Sequence, residues 1–248
     1  MENNSLAHTL LGGEQNRLKF TWESRRDISI GVARALAYLL EEVRPHIIHR
    51  DIKASNILLD RNFIPKVSDF GLSKLLRDTS SHVSTRVAGT IGYLAPEYAI
   101  SGHLTRKSDV YSFGVLLLEI VSGRPVMEFD QDYREQHLVQ KAWKAYSSND
   151  LIQLVDPILD RNYPVEEAVR FLKVGLLCVQ ETVNLRPRMP VVVQMLTNET
   201  AIEDTQISEP GVVADFMTIR MRQNESSDPG STSSYPTSMW GTSANLGR

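Results

Sequence analysis

The sequence predicts a mainly α-helical domain with a few short strands, and three observations predict it. Apolar residues recur at helical spacing in several long segments, the strand-like runs between them are only two or three residues long, and one Ser/Thr/Gly/Arg-rich stretch interrupts the helical pattern. At 248 residues and 42% hydrophobic, the chain can bury a sizeable core.

Trp22, Ile28, Val32, Ala35, Leu36, Leu39 and Val43 follow the helical period, with Thr21 as N-cap and Pro45 just past the last of them, so a long amphipathic helix is expected here. Ile47-Ile48, Ile57-Leu58-Leu59 and Lys66-Val67-Ser68 are apolar or alternating and lie between polar turns. They read as small strands, too short to form an independent sheet. From Asp69 to Glu97 periodicity fades, which predicts a long surface loop of the kind that carries function. Val110, Phe113, Val115, Leu116, Leu117, Ile120 and Val121 then form a helix apolar on most sides, expected to be the buried post of the domain and to end at Gly123.

Further helices are expected at about 137–146, 166–180 and 190–198, with Pro190 suited to a first turn. The expected organisation is a body over 1–200, an extension over 201–221 and a tail over 222–248. That tail is rich in Ser, Thr, Gly, Pro and Asn and is expected to be disordered for want of apolar surface.

Charge and cysteine content narrow the function classes. Lys+Arg 27 against Asp+Glu 30, scattered to a net charge of -3, gives no field to draw in nucleic acid. Cys178, the single cysteine, excludes an internal disulfide and a multi-cysteine metal site, and fits a reducing setting. No apolar run approaches the roughly 18 residues of a membrane span, and the first residues lack a signal-peptide pattern and a second-position glycine. A cytoplasmic location is therefore expected.

Three motifs carry chemistry. His49-Arg50-Asp51-Ile52-Lys53-Ala54-Ser55-Asn56 matches the protein-kinase catalytic loop, in which one carboxylate meets a substrate hydroxyl while an amide oxygen meets magnesium across the same turn. Asp69-Phe70-Gly71 matches the metal-binding triplet, and Ala95-Pro96-Glu97 closes the loop that follows. Singly, Asp and Asn at such places are more often turn and cap residues. In this order, with the Ser/Thr-rich loop between, they point to phosphoryl transfer.

The runs Asp51 to Asp60 and Gly89 to Tyr98 resemble plant receptor-like serine/threonine protein kinases, and the likeness continues through Lys107 to Val115 and Arg186-Pro187. Ile207-Ser208-Glu209-Pro210-Gly211 resembles the cold-responsive branch. The resemblance implies a kinase-like large (C-terminal) lobe. It makes Asp51 the base for the substrate hydroxyl, Lys53 the cation beside the transferring phosphoryl, and Lys53 and Thr90 marks of serine/threonine specificity. Asn56 and Asp69 would hold Mg2+ against ATP, and Leu58 would lie under adenine. His49 and Asp109 would be structural, Asp109 bracing the catalytic-loop backbone, and Glu97 with Arg186 would form a buried ion pair. Arg50 could pair with a loop phosphate, with Thr85 the first candidate and Ser84 the second, while Thr79, Ser80 and Ser81 read as ordinary polar residues. Cys178, the tryptophans and Leu40 read as packing residues.

The same resemblance sets what is missing. No Gly-x-Gly-x-x-Gly occurs, Lys19 is the only lysine before the catalytic loop, and Met1 to Leu6 resembles a hinge exit. The small β lobe is therefore expected to be absent, apolar surface to be exposed, and nucleotide binding and activity to be weak. The alternative is a non-catalytic binding module or dominant-negative interaction protein. Expected partners are protein substrates and a receptor or co-receptor kinase, met at the inner face of the plasma membrane through a parent protein or partners.

Overall fold

A computed structural model of the chain describes residues 2–77, 80–129, 135–202 and 205–212. Two short helices, α1 (Leu6–Thr9) and α2 (Glu14–Arg17), lead into α3 (Trp22–Ala37). The Thr21 hydroxyl accepts the Ser24 amide as N-cap, and Trp22, Ile28, Val32 and Leu36 form the buried face. The helix ends in a π-helical turn, Tyr38–Glu42, which keeps Leu39 and Leu40 in the core and brings Glu41 to Arg106 and Arg188. The expected long helix is thus present, with a wider last turn.

Strands β1 (His46–Ile48), β2 (Ile57–Leu59), β3 (Pro65–Val67), β4 (Lys74–Leu76) and β5 (Val83–Ser84) come next, followed by α4 (Pro96–Ser101) and β6 (His103–Leu104). All pairings are antiparallel and two-stranded: β1 with β4, β2 with β3, β5 with β6. The stretch 69–97, expected to be one loop, therefore carries two strands and a 3-10 turn at Phe70–Leu72. Strands this short have no periodicity of their own, and their partners are distant in sequence.

Helix α5 (Arg106–Ser122) is the central post. Thr105 and Ser108 form a reciprocal capping box at its start, and Gly123 ends it at φ 64, a left-handed value that favours glycine. From Ser108 to Ser122 every residue is buried. Beyond it lie β7 (Met127–Phe129) paired with β8 (Glu135–His137), then α6 (Leu138–Ser147), α7 (Val165–Cys178) and α8 (Met189–Leu196). Helices α5 and α7 approach closely because both present glycine there: a Cβ on Gly114 would lie 2.6 Å from Cys178 Cβ and 2.9 Å from Gly175 O. Cys178 and Trp22 are core residues, and burial pushes the Cys178 thiol up to about 12.

Residues 205–212 pack back onto this body. Ile207 and Val212 are buried, Ser208 donates to Gln180 Oε1, and the Tyr111 hydroxyl donates to Gly211 O at 2.7 Å. The tail expected after residue 222, Trp240 and Thr79 lie outside the described residues. Among the described residues no helix is long and apolar enough to cross a membrane.

A buried ion pair fixes α3 to the end of α5. Arg25 Nη2 lies 2.7 Å from Asp156 Oδ2 with both side chains fully buried, and Arg25 Nη1 donates to Ile120 O. Removing one partner strands a charge in the core, so Asp156→Ala should lower unfolding free energy by about 3–5 kcal/mol in chemical denaturation. A loss under about 1 kcal/mol would show the pair to be incidental.

Candidate functional site

The site is built on the turn 49–56, and its foundation is Asp109 in the first turns of α5. Asp109 Oδ2 accepts the His49 amide at 2.6 Å and Oδ1 accepts the Arg50 amide at 2.9 Å, with the side chain fully buried. Burial raises the Asp109 pKa, against the opposing pull of the two backbone N–H groups. Immediately after the second of these anchors the chain turns at Arg50, whose φ of 74 is left-handed. Such a conformation is uncommon for a residue with a Cβ and persists where the surrounding contacts fix it.

Asp51, the next residue, is buried and meets three side chains. Its Oδ1 accepts the Thr90 hydroxyl at 2.7 Å, and its Oδ2 takes Lys53 Nζ at 2.8 Å and Asn56 Nδ2 at 3.0 Å. Lys53 Nζ also donates to Thr90 Oγ1 at 2.8 Å. Burial acts to raise the Asp51 pKa. The hydrogen bonds from Lys53 and Thr90, the Lys53 charge and the Asn56 amide outweigh it and hold Asp51 below the usual carboxylate value.

Asn56 joins this cluster to the β2–β3 hairpin. Its Nδ2 donates to Asp51 O as well as to Oδ2, while its own carbonyl accepts both the amide and the hydroxyl of Ser68. Asp69 therefore leaves the hairpin beside Asn56. Its side chain is exposed at φ 62, accepts the Gly71 amide, and has no hydrogen bond to Asp51 or Asn56. Oδ1 of Asn56 and Oδ2 of Asp69 have no hydrogen-bond partner among the described residues, and both are oxygens of the type that a hard divalent cation takes. His49 closes the underside: Nε2 lies 3.0 Å from Ser68 O, and its ring meets Phe70 edge-on at 4.8 Å. Leu58 is half-buried on β2, bridged to Ser5.

Other expected residues lie apart from this cluster. Glu97 and Arg186 form a bidentate pair at 2.8 and 2.9 Å, with Arg186 fully buried and stacked 5.0 Å from the Tyr111 ring, and Glu97 only partly buried. The Arg50 guanidinium is engaged by the Tyr98 hydroxyl and by the carbonyls of Leu72 and Arg86, not by Ser84 or Thr85. The loop is thus already tied to Arg50 through its backbone. Ser84 is exposed on β5, whereas Thr85 is half-buried and its amide donates to Gly102 O.

Sequence reasoning passed over two supports. Tyr98 gathers Arg50, the Ala88 amide and Arg86 O around one hydroxyl. Glu119, fully buried on α5, accepts the Tyr93 hydroxyl at 2.6 Å and the Val126 amide at 2.8 Å, which fastens the segment after Thr90 to the chain beyond α5. An acidic residue within Leu116 to Val121 was the available signal, because a carboxyl on an apolar helix must have a partner.

Burial pushes Glu119 up to about 8 from an ordinary value of 4.5, against the two hydrogen bonds it accepts. The native state then keeps a proton that the unfolded chain releases. This contribution to stability is whole below about pH 4.5 and is lost as pH rises through about 8. Glu119→Gln should flatten the stability–pH profile across that window in thermal or denaturant melts. A slope equal to the parent's would contradict this.

Residues 1–197 match the family described as Protein kinase domain. The chain is 56% identical over 224 residues to Cold-responsive protein kinase 1 of Arabidopsis thaliana, an alignment covering 90% of this chain and 57% of that protein. It is 48% identical over 216 residues to a probable LRR receptor-like serine/threonine-protein kinase of the same plant, covering 87% of this chain and 20% of that protein. The chain spans little more than half the length of the first relative and about a fifth of the second.

Proposed function

The chain belongs to the protein kinase family, among its plant receptor-like serine/threonine members, and from that premise we propose that its residues serve ATP-dependent phosphoryl transfer to Ser and Thr hydroxyls of proteins. One observation carries the reading: Asp51, Lys53, Asn56 and Thr90 meet in a single hydrogen-bonded cluster. A substrate hydroxyl entering beside Thr90 would donate to Asp51. Because Asp51 is held below the usual carboxylate value, it is a weak base. Its work is to orient the hydroxyl oxygen toward phosphorus and to take the proton as the new bond forms.

Lys53 sits where its charge would balance the transferring phosphoryl group. Asn56 and Asp69 would hold Mg2+, which when bound neutralises charge on the phosphates. Leu58 supplies an apolar floor for adenine, and Asp109 with His49 keeps the turn in place. Ser84 is the more accessible regulatory hydroxyl, ahead of Thr85, and Arg50 would exchange a carbonyl for a phosphate only after the loop rearranges.

We further propose that these 248 residues by themselves bind nucleotide weakly and transfer little phosphate. They contain no Gly-x-Gly-x-x-Gly run, and Lys19 is the only lysine before residue 50. The phosphates would lack a second wall and stay exposed to water, which screens every remaining contact. Phe70 at 43% exposed and Leu75 at 63% leave apolar surface uncovered beside the site. The same missing contacts favour a second reading, a non-catalytic module that engages a receptor kinase or its substrates at the cytoplasmic face of the membrane.

Calorimetry with Mg2+·ATP and a radiolabelled transfer assay separate the readings. Weak, Mg2+-dependent binding that disappears in Asp69→Asn, with transfer near background, is the expected result. Strong transfer abolished by Asp51→Asn would refute the weakness while upholding the chemistry. Binding indifferent to both Mg2+ and Asp69 would overturn the phosphotransfer reading itself.

A further inference from the structure

We propose that His82 and His103 form a two-imidazole site for a divalent transition-metal ion of the zinc class, which would pin β5 of the long loop to β6. The two rings lie with centroids 4.8 Å apart, inclined at 54°. Strand pairing brings them there. Ser84 is opposite His103 and Val83 opposite Leu104, so side-chain alternation puts residues 82, 84 and 103 on one side of the β5–β6 ribbon, with His82 and His103 diagonal neighbours. Both histidines are exposed, and neither has a carboxylate in ion-pair distance among the described residues.

The geometry fits a tetrahedral ion. Two Zn–N bonds of about 2.0–2.1 Å at a tetrahedral angle set imidazole centroids about 5 Å apart, which the 4.8 Å between His82 and His103 matches. A second contact prepares the ligand atom: Ser81 Oγ lies 3.2 Å from His82 Nδ1. With Nδ1–H donating to that hydroxyl, Nε2 keeps its lone pair for a metal, the outer-sphere arrangement that metal-bound imidazoles use. Imidazole selects zinc-like ions, whereas Mg2+ prefers oxygen donors, so this site would not compete for the ion expected at Asn56 and Asp69. Among the described residues no group of three or more His, Cys, Asp or Glu forms a metal cluster. Water therefore completes the coordination, and the affinity is moderate.

The site rests on the β5–β6 ribbon alone, so its failure leaves the phosphotransfer reading unaffected. The test is calorimetric titration of the 248-residue chain with Zn2+, with Mg2+ as control, alongside hydrogen exchange at the Thr85 amide, which donates to Gly102 O at 3.1 Å in the same ribbon. Both positions are exposed, so His82→Gln and His103→Gln should fold as the parent does. Expected are binding of a single Zn2+, affinity reduced about tenfold or more in each variant, and slower Thr85 exchange with Zn2+ in the parent only. No Zn2+ binding, parental affinity in either variant, or unchanged Thr85 exchange on Zn2+ binding would each overturn the proposal.

Discussion

A buried carboxylate with two backbone N–H groups aimed at it holds this site together. Asp109 stands near the start of the most buried helix of the domain and accepts from His49 and Arg50 in succession. The left-handed turn at Arg50 follows directly on those two bonds and sends neighbouring side chains in opposite directions. His49 faces the Ser68–Phe70 segment, while Asp51 faces Thr90. Without Asp109 two buried donors would be orphaned, and the strained turn would lose what fixes it.

Further buried polar side chains extend that support outward along α5. Glu119, nearly three turns after Asp109, holds Tyr93, and the Ser112 hydroxyl between them donates to Tyr93 O. The segment that supplies Thr90 is thus fastened to the same helix that braces the turn bearing Asp51. Gly89 is part of this fit: at φ 129, a Cβ there would come 2.7 Å from Arg50 O, so the segment could not close over the turn with a larger residue. Farther out, Arg186 joins Glu97 to the backbone at Gln180 and Lys107, and residues 207–212 lie against that junction.

The longer helices α3, α5, α6, α7 and α8 were legible in sequence because each carries apolar residues at one period, and α3 and α5 also show their caps at Thr21 and Gly123; the one-turn helices α1 and α2 and the short α4 were not. The strands at β4 and β5 were not, since a two- or three-residue strand exists only through a partner remote in the chain. Within the site, the spacing of Asp51 and Asn56 was informative because both lie on one local turn. Asp69 could be placed beside them only by the hairpin that brings Ser68 to Asn56. Arg50 illustrates the limit: its position in the motif was evident, but not that three backbone and hydroxyl oxygens would already occupy its guanidinium. Tyr98 was hidden for the same reason, because a hydroxyl's partners depend on tertiary contacts.

The proposed convergence of Asn56 and Asp69 on one metal-bound triphosphate is tested directly with Mn2+ in place of Mg2+ and a non-hydrolysable ATP analogue. Paramagnetic broadening of backbone amide resonances should centre on residues 55–57 and 68–70 and weaken with distance toward Asp51 and Thr90. Broadening centred on α6 and α7, with those six residues untouched, would contradict the account.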